Sequence, residues 1–306
     1  HNAEVRRVSL TNHSQHGRVL EVTSYFEPVL SSLADDMAHR AFNNLFVETE
    51  FIPDYSALLV KRRPRRVQQK PIWLVHTYVL EGEAIGEPQY ETDRSRFIGR
   101  GRTLEFPQVM EAEHPLSNTV GVVLDPIVSL RQRIAIPPGK TARLSFVVGV
   151  AESREAAIAL AREYRNATVT SRVFELAWTH SQVEMRYLNI AAGQINLYQR
   201  LASHIIYSTP LQRNKEEFIR QNRKGQSALW AYGISGDLPI VLVEVSRIEH
   251  MELVKQVLTA HEYWRLKGLN ADLVLLNEYG SSYEQPVQER LQDLVMVSHA
   301  RDLQNR

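Results

Sequence analysis

The hydrophobic period of the chain changes twice, and those two changes restrict the fold more than any single motif. Up to residue 150 the apolar positions alternate. Val5, Val8 and Leu10 lead into VLEVTSYFEPVL, and short runs recur at 44–52 (NLFVETEFI), 57–61 (ALLVK), 72–80 (IWLVHTYVL), 120–124 and 142–150 (ARLSFVVGV). A period of two sends successive side chains to opposite faces of a strand. With Pro- and Gly-bearing turns between the runs, this predicts several antiparallel strands packed as a sandwich. LADDMAHRA at 33–41 reads as a short helix or an irregular excursion. PPGK at 137–140 reads as a tight turn before the last strand.

From residue 151 the period becomes helical. SREAAIALAREY opens on a Ser cap with an acidic residue two places on. A helical zone over 170–206 follows, with Phe174, Trp178, Tyr187, Ile190, Leu197, Leu201 and Ile205 as expected core positions. Gly193 weakens it and marks a close packing point or a break. STP at 208–210 ends it, because the residue before proline avoids the α region. After a polar stretch at 211–229 the pattern changes again. PIVLVEV is a strand, 249–267 a helix ended by Gly268, ADLVLLNE at 271–278 a strand, and 284–302 a further helix. Strand, helix, strand within about 35 residues fits a right-handed parallel crossover. Two nearly all-apolar strands are expected to be covered on both faces. The predicted fold class is multidomain α+β: an antiparallel β-sandwich over 1–150, a long helical linker region over 151–229, and a small α/β unit over 230–306.

Composition narrows the function. Thirty-six basic residues face 35 acidic ones, for a formal charge of +1, which argues against a nucleic-acid binder. The absence of cysteine excludes disulfides, thiolate metal sites and a cysteine nucleophile. No apolar run reaches the length of a membrane span, so no membrane contact is expected of this segment. The chain opens HNAEVRRVSLTN, with strand-like alternation within a few residues, and reads as part of something longer.

Four places carry candidate chemistry. In WAYGISGDLPIVLVEV (230–245) the glycines precede the strand and no Lys follows, so neither a P-loop nor a dinucleotide turn fits. Gly233 and Gly236 supply turn conformations and Asp237 accepts nearby amide hydrogens. The carboxyl ends of the two strands leave a second reading, a crevice with Asp237, Glu244, Asn277 and Glu278. The basic run KRRPRR at 61–66 is either an anion clamp or a solvated loop. ETDRSRFIGRGR at 91–102 has two readings. Asp93, Arg94, Arg100 and Arg102 can hydrogen-bond sugar hydroxyls while Phe97 offers a ring face; or an Arg–Asp network pins the loop. The pairs Glu48/Glu50 and Asp35/Asp36 place no acid opposite a base. The histidines are scattered: there is no HExxH, and His261 with Tyr263 and Trp264 reads as an aromatic helix stripe. No GxSxG elbow occurs. No catalytic residue, metal ligand or cofactor is assigned.

Long stretches nonetheless resemble one family. RVLEVTSYFEPVL, AFNNLFVETEF, ETDRSRFIGRGR, LSNTVGVVLDPIVSLRQR, LWAYGISGDLPIVLVEV and AHEYWRLKGLNADLVLLNE are similar to the C-terminal, glycoside hydrolase family 94 phosphorylase-like part of bacterial cyclic β-1,2-glucan synthases. β-1,2-Oligoglucan phosphorylases carry a related segment. His39 is followed by Arg40 where the family shows His–Pro. The resemblance spans nearly the whole chain and implies a β-supersandwich followed by helices. It implies that the catalytic Asp of such enzymes sits in an (α/α)6 barrel outside this chain. The implied whole is a glucosyltransferase anchored in the bacterial inner membrane, with this segment on the cytoplasmic side. The implied partners are β-1,2-glucan oligosaccharides and other domains of the same protein. A free phosphorylase, or an independent enzyme using the 237–278 crevice, are the alternatives.

Overall fold

The computed structural model describes residues 2–64, 70–111, 114–207, 216–279 and 286–303. They form two compact units, His1–Ala177 and Trp178–Arg306.

Unit 1 is an antiparallel sandwich. Its larger sheet has six strands in the order β1 (Ala3–Thr11), β9 (Thr141–Ala151), β5 (Trp73–Glu81), β4 (Ala57–Arg62), β3 (Val47–Ile52), β7 (Gly121–Val122). The smaller has β2 (Arg18–Thr23), β8 (Pro126–Ile136) and β6 (Glu83–Asp93). Val47, Leu58, Val60, Leu74, Leu144 and Phe146 from the first sheet meet Val128 and Leu130 from the second. The alternate residues Ala57, Leu59 and Val75 face the other way, onto Ala157 and Ala161 of helix α3 (Arg154–Tyr164). β4 is therefore apolar without alternation because both its faces are covered. Ser153 caps α3 as predicted, its hydroxyl accepting from the Ala156 amide at 3.1 Å. A Cβ on Gly149 would lie 3.2 Å from Leu160 and 3.3 Å from Val75, so glycine lets the helix approach the sheet.

The segment at 33–41 combines both of its readings. Helix α1 (Leu33–Asn44) has a non-helical residue inside it, His39. The predicted turn at 137–140 closes with Lys140 donating to Pro137 at 3.1 Å and Gly139 at φ 69°. Two strands, β6 and β8, lie where no alternating run is visible. They are held between a packed face and a network of buried polar side chains. The 91–102 stretch is not one loop: it holds the end of β6 and the short helix α2 (Arg94–Ile98).

The helical zone needs two corrections. It consists of α4 (Ala167–Tyr187) and α5 (Ala192–Ile206), and the break falls at Asn189, which adopts φ 52°, rather than at Gly193, which lies in the first turn of α5. Most of the expected core positions are not buried either. Ile190 is, and Ile205 is partly so, but Phe174, Leu197 and Leu201 are exposed, and Trp178 and Tyr187 stay 66% and 60% exposed. Apolar residues at helical spacing report a face that can be buried, not one that is.

In unit 2, after α6 (Glu216–Gln221), β10 (Ile240–Val245) and β11 (Asp272–Asn277) pair in parallel through the crossover helix α7 (Met251–Leu266). Helix α8 (Pro286–Val297) joins α7 on one sheet face, over Val243, Val245, Leu273 and Leu275. Gly268 follows α7 at φ 79°. The expectation of two covered faces fails among the described residues, since Ile240, Leu242 and Leu276 on the other face are exposed.

Candidate functional site

The α2 region is built as a polar frame. The Asp93 carboxylate caps α2, accepting from the Ser95 amide at 2.8 Å and its hydroxyl at 2.7 Å. Arg94 donates to Glu27 at 3.0 Å and lies 3.6 Å from Asp125. Tyr25 donates to the same Glu27 oxygen at 2.7 Å. Burial, with Glu27 beside it, pushes the Tyr25 phenol up to about 12. Burial also works to raise the Glu27 carboxyl, but hydrogen bonds from Tyr25 and Arg94 outweigh it and hold the group below its ordinary range. Asp125 moves the other way, raised by burial and by the neighbouring charges of Glu27 and Asp93.

Phe97 does not offer a ring face to solvent. It is 3% exposed, packed with Ile98, Val109, Leu116 and Ile127, its centroid 4.8 Å from that of Tyr25. Arg102 pairs with Glu111 at 2.6 Å. Arg100 alone among the four arginines is exposed with no hydrogen-bond or ion-pair partner among the described residues. Gly99, at φ 87°, is needed because a Cβ there would fall 2.8 Å from the Cβ of Gln108.

The proposed crevice is not assembled. Asp237 precedes β10 while Glu244 and Asn277 lie at the far ends of the strands, roughly 20 Å away along an extended chain. Glu244 pairs in register with Leu276 and Val245 with Asn277, so Glu244 and Asn277 sit on opposite faces. Asn277 donates to Gln288 at 3.1 Å and accepts from the Tyr279 amide, while Glu244 and Glu278 are exposed. The glycine turn is a lock: Gln226 donates to the Ser235 carbonyl at 2.9 Å and to Asp237 at 3.0 Å, and Trp230 donates to Ser235 at 3.2 Å. Asp237 thus accepts from a side-chain amide eleven residues away, and its own amide donates to the Ser235 hydroxyl at 3.2 Å.

Unit 2 does contain a cavity, along one face of β11. It measures about 410 Å³ and opens between α7, β11 and α8. Leu258, Leu273 and Leu291 form an apolar floor, with His261, Arg265, Asn270, Asp272, Gln288 and Gln292 around it. His261 donates from Nε2 to the Ala271 carbonyl at 2.9 Å, which sets its ring orientation. No group of metal-ligating side chains occurs among the described residues, and no helix among them is long and apolar enough to cross a membrane.

Residues 1–167 match the family model described as the glycosyl hydrolase 94 supersandwich domain. The chain belongs to this family. Over 294 residues it is 36% identical to the cyclic beta-(1,2)-glucan synthase NdvB of Rhizobium meliloti (strain 1021), an overlap covering 96% of this chain and 10% of that protein. The chain therefore spans about a tenth of the length of the curated relative it matches.

Within this glycosyl hydrolase 94 supersandwich, several charged residues singled out in the sequence are structural. Glu48 pairs with Lys61 at 2.7 Å and Arg63 at 3.0 Å, and Glu50 pairs with Arg154, which holds its carboxyl below the ordinary range against the effect of burial. In the basic run, Arg62 is buried and donates to the Asn43 carbonyl at 3.0 Å and side chain at 2.7 Å. Residues 65 and 66 of that run lie outside the described residues, as do 208–210. The pieces that sequence reading missed are Glu91 and Arg131. Glu91 is 1% exposed and accepts from Thr92, Asp93 and both the amide and hydroxyl of Ser117. Arg131, inside β8, donates to Thr23 at 2.9 Å, to the His114 carbonyl at 2.8 Å and to the Val109 carbonyl. A single charged residue in a strand carries no sign of burial. Only the dense polarity of 91–102 hinted at a network.

Proposed function

We propose that this chain is a noncatalytic supporting module of a longer protein resembling cyclic β-1,2-glucan synthase. The single observation that carries the reading is the pairing of near-complete coverage of this chain with a tenth coverage of NdvB. The site geometry supports it. The candidate carboxylates of unit 1 are engaged in ion pairs, caps or backbone hydrogen bonds, and the crevice residues of unit 2 diverge. Apolar side chains such as Trp178 and Tyr187 remain exposed, as expected of surfaces that meet other parts of a larger protein. In that longer protein the segment takes its place on the cytoplasmic side of the bacterial inner membrane, beside a glucosyltransferase and a phosphorylase-like catalytic part. The test is to incubate the purified chain with linear β-1,2-glucan and inorganic phosphate, and separately with UDP-glucose. No glucose 1-phosphate and no new glucan is expected; turnover of either kind refutes the proposal.

A second reading, glucan contact at the α2 region, is favoured by Arg100, the one exposed arginine of 91–102 with no partner among the described residues. Titration calorimetry with linear β-1,2-glucooligosaccharides checks it. Heat that disappears in R100A supports contact at this place, and no heat at millimolar ligand leaves the supporting role alone.

A further inference from the structure

We infer that the cavity between α7, β11 and α8 is a binding site for a neutral, polyhydroxylated molecule of about one ring. The inference rests on unit 2 alone and does not depend on the role proposed for the chain. The volume, about 410 Å³, lies toward the small end of the range of ligand pockets, roughly 300–1,000 Å³. Its floor is apolar, lined by Leu258, Leu273 and Leu291. Such a floor receives the C–H face of a saturated ring.

The polar groups choose the ligand chemistry. Arg265 is already paired with Glu262 at 2.9 Å, and Asn270, Gln288 and Gln292 line the same cavity. A phosphate or carboxylate would find the arginine of the wall already engaged by Glu262. An apolar ligand would strip water from Asn270 and Gln292, whose side chains have no hydrogen-bond partner among the described residues. Hydroxyls suit the wall because each is both donor and acceptor. Asn270 and Gln292 each present an amide N–H₂ and a carbonyl, and Gln288 retains its N–H₂ donors while its carbonyl accepts from Asn277. These groups come from the chain just before β11 and from two successive turns of α8, where Gln288 and Gln292 share one helix face. His261, held by the Ala271 carbonyl, closes the α7 side.

The experiment uses the intact chain and follows the side-chain amide NMR signals of Asn270, Gln288 and Gln292. The probes are D-glucose and myo-inositol as neutral polyols and inorganic phosphate as the anion, each raised to about 100 mM, the range in which millimolar affinity is read. Both Asn270 and Gln292 are exposed, so N270A/Q292A leaves the floor intact, and its backbone spectrum away from the cavity serves as the folding control. Saturable shifts of all three amides with at least one polyol, none with phosphate, and an affinity about tenfold weaker at the unchanged Gln288 signal in the double variant are expected. The inference is overturned if the polyols leave these signals unmoved, if phosphate moves them instead, or if the double variant binds as tightly as the parent.

Discussion

His76 offers the sharpest test of how the sandwich is held together. It lies in the middle of β5, 1% exposed, between Phe26 at 5.1 Å and Phe146 at 5.7 Å ring to ring. Its Nδ1 donates to the Val147 carbonyl at 3.0 Å and its Nε2 accepts from the Ser24 hydroxyl at 2.8 Å, which ties the two sheets through one neutral ring. Burial, with the Arg6 charge in support and the Val147 bond opposing, lowers its pKa from 6.5 to about 4. The sign follows directly. Between these values the unfolded chain holds a proton that the folded chain does not, so stability rises with pH across the window. The contribution is complete above pH 6.5 and is lost progressively as pH falls toward 4. At 1.36 kcal/mol per pH unit the full difference is about 3 kcal/mol. The assay is urea denaturation at pH 7.5 and pH 4.5, followed by hydrogen-exchange pulses at one fixed pH on peptides from β5 and β9. H76F loses both hydrogen bonds at every pH, so the comparison is of slopes. The parent chain should lose about 2–3 kcal/mol more than H76F between the two conditions. Parallel losses would refute the account of a buried neutral imidazole.

Three further outcomes are expected. Because Phe97 is a core residue of the α2 region, F97A should destabilise unit 1 by about 3–5 kcal/mol; a fully stable F97A in thermal denaturation would restore its reading as an open sugar platform. R131A removes a buried guanidinium from the Val109 and His114 carbonyls, at about 2–4 kcal/mol, and limited proteolysis should then cut between β6 and β8 where the parent resists. In unit 2, Trp264 donates from Nε1 to the Tyr198 carbonyl at 2.8 Å in a buried setting. W264F should cost about 1–3 kcal/mol, read as faster hydrogen exchange in peptides from α5 and α7 with unit 1 unaffected.

The architecture was legible wherever it follows from local periodicity. Alternation located most strands of the larger sheet. The Ser153 cap and Gly268 bounded two helices, and the two apolar runs around α7 gave the parallel pair. β6 and β8 escaped because Glu91, Arg131 and Gln132 interrupt the pattern, and a buried polar residue cannot be told from a surface one until its partners are in place. Gln132 illustrates the point: it is 1% exposed, and its side-chain carbonyl accepts at 2.6 Å from Tyr78 of the other sheet. The two readings of the candidate site could not be separated for the same reason. Residue types suited to sugars at 91–102 were visible, but Phe97 turned inward onto Tyr25, and Arg94 was claimed by Glu27, a residue 67 positions away.

What the amino-acid order determined by itself was most of the locally periodic elements, the change from sandwich to helix to α/β, and the resemblance that placed the chain in its family. These are properties of neighbours along the chain, where side-chain period and capping act over a few residues. Tertiary structure alone decided which polar groups are satisfied, which apolar faces stay bare, and where a cavity opens. Those outcomes depend on pairs of groups far apart in sequence, whose desolvation and hydrogen bonding are settled only when the sheets and helices meet.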